Sequence, residues 1–68
     1  MRDWLKAARK ERGLTMAELC EKLKISESYY SQIESGTRQK NMDISLVRAL
    51  SEALGISIKE IVEKEASA

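Results

Sequence analysis

The chain has 68 residues, enough for one small domain and too few for a barrel or a doubly wound sheet. Hydrophobic residues make up 43% and charged residues 34%, with a formal net charge of +1, a balance that suits a folded globular domain rather than a disordered tail. With no histidine and one cysteine, Cys20, an internal disulfide framework, most zinc sites and His-based acid–base or triad catalysis are excluded, so a binding module without metal or cofactor is expected and an enzyme is not.

Punctuation and apolar spacing divide the chain into helices. Asp3 to Arg12 forms the first, with Leu5 and Ala8 facing inward and Gly13 as its stop. Met16, Leu19, Cys20 and Leu23 follow the i, i+3, i+4, i+7 stripe of a helix with one buried face, over 16–23. Thr15 and Glu18 form a capping box at its start, with Leu14 and Leu19 as a hydrophobic staple. Ser26 caps a third helix over 27–35, stapled by Ile25 and Tyr30. Asp43 caps a fourth over 44–54, stapled by Met42 and Val47. Ser57 with Glu60 forms a second capping box for a fifth helix over 58–65, stapled by Ile56 and Ile61. Gly36 and Gly55 sit where left-handed C-terminal residues are wanted, and the tail Glu65-Ala66-Ser67-Ala68 reads as frayed. Proline is absent, and no stretch alternates in the way a strand requires. The fold class is therefore all-α, with five helices in one domain over residues 1–68.

Leu14, Leu19, Leu23, Ile33, Val47, Leu50, Leu54 and Ile61 are the expected core. Cys20 falls on the apolar stripe and reads as core packing rather than as a redox sensor. Trp4 reads as a lid over the first helix's packing face. No apolar run approaches the ~18 residues of a membrane span. Met1-Arg2-Asp3-Trp4 leads straight into a charged amphipathic segment, which predicts no signal peptide and a cytoplasmic location.

Charge is distributed in blocks. Residues 1–12 carry a net +3 and residues 36–48 a net +2, whereas 13–35 and 49–68 each carry a net −2. Two basic segments thus flank an acidic middle. The stretch 36–42, Gly-Thr-Arg-Gln-Lys-Asn-Met, is the one long connection and is polar and basic.

The second and third helices are separated by Lys24 and Ile25 alone, a turn too tight for antiparallel neighbours, so the pair must cross steeply as a helix-turn-helix. Three stretches make this more specific: Arg12-Gly13-Leu14-Thr15-Met16-Ala17-Glu18-Leu19-Cys20, then Ile25 through Arg38, then Leu50-Ser51-Glu52-Ala53-Leu54-Gly55-Ile56-Ser57. Together they resemble the phage repressor and Cro family, also called the XRE family, over about residues 3 to 62. The resemblance implies a five-helix, phage-repressor-like DNA-binding domain whose third helix enters the major groove of double-stranded operator DNA. It places Glu27, Ser28 and Gln32 at base-reading positions. Thr15, Met16, Thr37, Arg38 and Lys40 fall at DNA-backbone positions, and Arg9 with Glu34 at a tether between the first and third helices. Gln32 can bridge adenine N6 and N7, and Glu27 can accept from cytosine N4. Tyr29, next to Tyr30, is expected to point away from the core, either as a further base-reading residue that packs on a thymine methyl or a sugar or simply as a surface aromatic.

This sequence departs from the family pattern at several positions. Met16 stands where Gln usually holds a phosphate, although the backbone amides there can still do so. Lys24 replaces a Gly, at a cost of roughly 1 kcal/mol if the left-handed turn is kept. Tyr30 replaces a buried aliphatic residue, so its hydroxyl needs a partner or the domain edge. The third helix contains no Lys or Arg, so attraction for phosphate is expected from residues 1–12 and 36–48. Homodimerisation, at least on DNA, is expected through Ile58 and Val62 of the fifth helix, on a two-fold symmetric operator. No membrane and no small-molecule ligand is expected. The alternative reading is a protein-interaction module, such as an antitoxin that holds a protein partner.

Overall fold

The computed structural model describes residues 1–67, and the expectation of a frayed end at Ala68 lies outside them. Five helices follow one another: α1 (Asp3–Glu11), α2 (Met16–Leu23), α3 (Glu27–Ser35), α4 (Ile44–Leu54) and α5 (Ile58–Ser67), with no strand among the described residues. Arg12 is the C-cap of α1 rather than its last helical residue. α5 runs two residues past its expected end at Glu65, because Glu65 is not a loose tail residue. Its carboxylate accepts from Arg2 Nε at 2.8 Å and from Trp4 Nε1 at 2.8 Å, which pins the end of α5 to the start of α1.

The local grammar holds at the starts of α2, α3 and α4, whereas at α5 only the Ser57 half of the expected Ser57–Glu60 capping box forms. Thr15 Oγ1 accepts from the Glu18 amide at 3.1 Å while Glu18 Oε1 accepts from the Thr15 amide at 2.9 Å, a complete capping box. Ser26 and Asp43 cap α3 and α4 through the amides of Tyr29 and Leu46, and Ser57 accepts from the Glu60 amide. Each satisfies a donor that the first turn would otherwise leave without a partner.

α2 packs on α3 and α4, α4 on α5, and α1 on α3. The shared core is Leu5, Ala8, Leu19, Cys20, Tyr30, Ile33, Leu50, Leu54 and Ile61. Leu14, Leu23 and Val47, expected in that core, are half-buried and close its edges. Trp4 is half-buried against it, as a lid. Cys20 is buried and free, and burial pushes its thiol above the usual range.

Tyr30 departs from expectation. It is fully buried, yet its hydroxyl finds no hydrogen-bond partner. The neighbours of its tip include the Glu34 carboxylate and Arg9, but neither completes a hydrogen bond with it. Burial, and then the neighbouring Glu34 carboxylate, push this phenol well above its usual range.

Candidate nucleic-acid interface

The turn between α2 and α3 retains the left-handed geometry that the sequence makes costly. Lys24 caps α2 with φ 59° and ψ 43°, and the Ile25 amide donates to the Cys20 carbonyl at 3.1 Å. Ser26 then caps α3 at once, so α3 leaves α2 with its first turn outward. Glu27 and Ser28 lie exposed on that turn, and Gln32 follows one turn later, half-buried.

Tyr29 does not point freely into solvent. It is half-buried, and its hydroxyl accepts from Gln39 Nε2 at 2.8 Å. The cause is the loop after α3, which folds back over the helix. Gln39 adopts φ 55°, a left-handed backbone that no glycine or asparagine marks in the sequence. Its carboxamide also donates to Asp43 Oδ2 at 3.2 Å and accepts from the Asp43 amide at 3.1 Å. One side chain thus binds the loop to both α3 and the start of α4.

The loop is braced from α3 as well. The amides of Thr37 and Arg38 both donate to the Gln32 carbonyl, at 3.0 and 3.2 Å. Ser35 Oγ donates to the same carbonyl at 3.0 Å. That uses the single Ser35 proton, so Thr37 donates in the 2.6 Å contact between the two hydroxyls. Arg38 is exposed, and its Nε donates to Gln32 Oε1 at 3.0 Å. Lys40 is exposed beyond it.

On the α2 side, Thr15 is exposed at the N-cap and Met16 is half-buried as the first helical residue. The Glu18 carboxylate accepts from the Thr15 amide at 2.9 Å, just ahead of the opening amides of α2. Hydrogen bonds from the Thr15 backbone and then its side chain hold that carboxyl below the usual range.

The basic segment over residues 1–12 is used differently from expectation. Arg9 Nε donates to Glu34 Oε2 at 3.2 Å and Arg9 Nη1 to the Leu14 carbonyl at 2.9 Å, which realises the tether between α1 and α3. Arg2 is buried, bound to Glu65 and to the backbone carbonyls of Ile33 (2.6 Å), Arg38 (3.3 Å) and Gln39. The Arg12 guanidinium lies against Gly55, at the C-terminus of α4, where a cation meets the negative end of the helix dipole. Arg2 and Arg9 of that segment are therefore committed to the fold, while Lys6, Lys10 and Arg12 are exposed. Arg2 and Gln39 were not legible as site residues, since neither belongs to a local motif.

Ile58 and Val62 are 47% and 55% exposed on one side of α5, while Ile61 is fully buried. An apolar strip one turn long thus faces outward, away from the core.

A helix-turn-helix family model matches residues 5–61. The chain is 40% identical over 55 residues to YqaF of Bacillus subtilis (strain 168), described as an uncharacterized HTH-type transcriptional regulator, covering 81% of this chain and 70% of that one. It is 43% identical over 61 residues to the immunity repressor protein of Bacillus phage phi105, covering 90% of this chain and 41% of that one. It is 33% identical over 61 residues to the HTH-type transcriptional regulator SinR of Bacillus subtilis (strain 168), covering 90% of this chain and 54% of that one. The chain thus spans about half the length of two of these relatives. No solved structure matches it significantly. With the family model covering most of the sequence, and the capped α2, left-handed turn and outward α3 all in place, the chain belongs to the XRE family of helix-turn-helix proteins.

Proposed function

We propose that this chain is a sequence-specific DNA-binding transcriptional regulator that sets α3 in the major groove of an operator. The observation that carries the reading is the placement of Glu27, Ser28 and Gln32 along one outward edge of α3, within a helix-turn-helix match over residues 5–61. The names of the relatives, two transcriptional regulators and an immunity repressor, support the same conclusion. In this arrangement Glu27, Ser28 and Gln32 meet base edges, with Tyr29 close to the same groove. Arg38, Lys40 and Thr37 from the loop, with Thr15, Met16 and the first amides of α2, meet the phosphates on either side.

The operator is two-fold symmetric in this reading, and two copies meet through Ile58 and Val62. The strip is small, so the dimer forms on DNA rather than free. Selection of duplexes from a random pool, followed by polarisation titrations at ~100 mM salt, tests the proposal. A palindromic consensus bound well above scrambled duplex is the expected outcome, with two chains per site by light scattering. Equal affinity for consensus and scrambled DNA would refute it.

A further inference from the structure

Gln32 and Arg38 stand in the two halves of the interface, one toward bases and the other toward phosphates, yet their side chains are joined. Arg38 Nε donates to Gln32 Oε1 at 3.0 Å. An arginine offers donors only, so the oxygen end of the carboxamide must face Arg38 and the amino end must face away. Gln32 Nε2 donates to none of the described residues. Arg38 is itself held at both ends of its backbone. Its amide donates to the Gln32 carbonyl at 3.2 Å and its own carbonyl accepts from Arg2 Nη1 at 3.3 Å.

Resting on the DNA-reading function proposed above, we infer that Arg38 is a positioning residue that fixes which way the Gln32 carboxamide faces, and so makes this position select a purine. A free carboxamide can turn over and offer either a donor or an acceptor to the groove. With Oε1 engaged, the outward group is the amino group, which donates to purine N7. The second lone pair of Oε1 stays available to accept from adenine N6, a second bond that thymine, whose O4 could accept from the same amino group, does not offer. The turned-over amide, which could take cytosine N4, would set its amino group against the Arg38 donor. The two terminal guanidinium nitrogens of Arg38 remain for a phosphate. One side chain then joins the backbone register to the base beside it, and the bond tightens once the groove excludes water.

The test uses the best duplex from a random pool and its three variants at the base pair that Gln32→Ala relaxes. Arg38→Lys keeps the charge and loses the planar Nε donor. The expected result is that Arg38→Lys keeps the salt slope of the parent but lowers the purine preference at that pair about tenfold, toward that of Gln32→Ala. In the Gln32→Ala background the same change should cost no further preference. Arg38→Ala should lose both the preference and about one unit of salt slope. An Arg38→Lys variant that keeps the parent's full preference overturns the inference, as does a cytosine selected at the contacted position. A parent that binds all duplexes equally overturns instead the reading on which the inference rests.

Discussion

Single residues carry strain in this domain that their neighbours do not relieve equally. Lys24 and Gln39 both adopt left-handed backbones, at φ 59° and 55°, where a side chain costs about 1 kcal/mol or more. Lys24 is exposed and its side chain makes no hydrogen bond among the described residues, so Lys24→Gly should stabilise the domain by about 0.5–1 kcal/mol. Gln39→Gly removes the same strain but also the bonds to Tyr29 and Asp43, so it should destabilise by about 1 kcal/mol. Urea midpoints that move in the same direction for both would show that backbone strain, not the side chain, decides at Gln39. Tyr30 stores a different cost, a buried hydroxyl without a partner. Tyr30→Phe should gain about 1–2 kcal/mol at neutral pH. The sign with pH follows from the raised phenol. Above the ordinary tyrosine pKa of ~10 the unfolded chain sheds a proton that the folded chain keeps, so parent stability falls as pH rises. The advantage of the Phe variant should therefore widen between pH ~8 and ~10.5, and a constant gap in matched melts would contradict the burial of that hydroxyl.

At the scale of elements, the sequence is most legible where the physics is local. A capping box needs two residues three apart, and Thr15 with Glu18 forms one as expected. Ser26 and Asp43 follow the same rule. The loop after α3 is where local reading ends. Nothing near Gln39 announces a left-handed turn, and its partners Tyr29 and Asp43 meet it only after the chain has folded back. For that reason the sequence alone gives no sign that Tyr29 is engaged. The α2 cap also fixes a pH dependence. The Glu18 carboxyl is held below its usual range by Thr15, so the ionised form favours the folded state. Its contribution is present above the ordinary carboxylate pKa of ~4.3 and is lost as pH falls through the lower folded value. Glu18→Gln should behave the same at low pH as the parent but melt earlier at pH 7. A difference in melting temperature that persists unchanged in acid would mean that the carboxylate charge plays no part in the cap.

Across the whole molecule, the five helices bury few large side chains, so stability on the order of 3–5 kcal/mol is the expectation for a core of this size. Contacts between distant parts of the chain then weigh heavily. Arg2 joins four of them: Glu65 in α5, the last turn of α3 at Ile33, and the loop carbonyls of Arg38 and Gln39. It is buried against a partner 63 positions away. A count of basic residues near the N-terminus cannot distinguish such a buried group from an exposed one, which is why the sequence alone gives no sign of this network. Removing one partner of a buried charged network leaves the others without compensation. Arg2→Ala strips the Ile33 carbonyl and the loop together, and should cost about 2–4 kcal/mol, most of the stability available. Glu65→Gln leaves Arg2 bound to the three carbonyls and keeps an acceptor for Trp4 Nε1, so it should cost about 1 kcal/mol or less. Guanidinium unfolding of both variants beside the parent measures the difference. Equal losses would place the weight of this network on the ion pair with α5 rather than on the carbonyls of α3 and the loop after it. A much larger loss for Arg2→Ala would show that the loop carrying Arg38 is held from inside the domain.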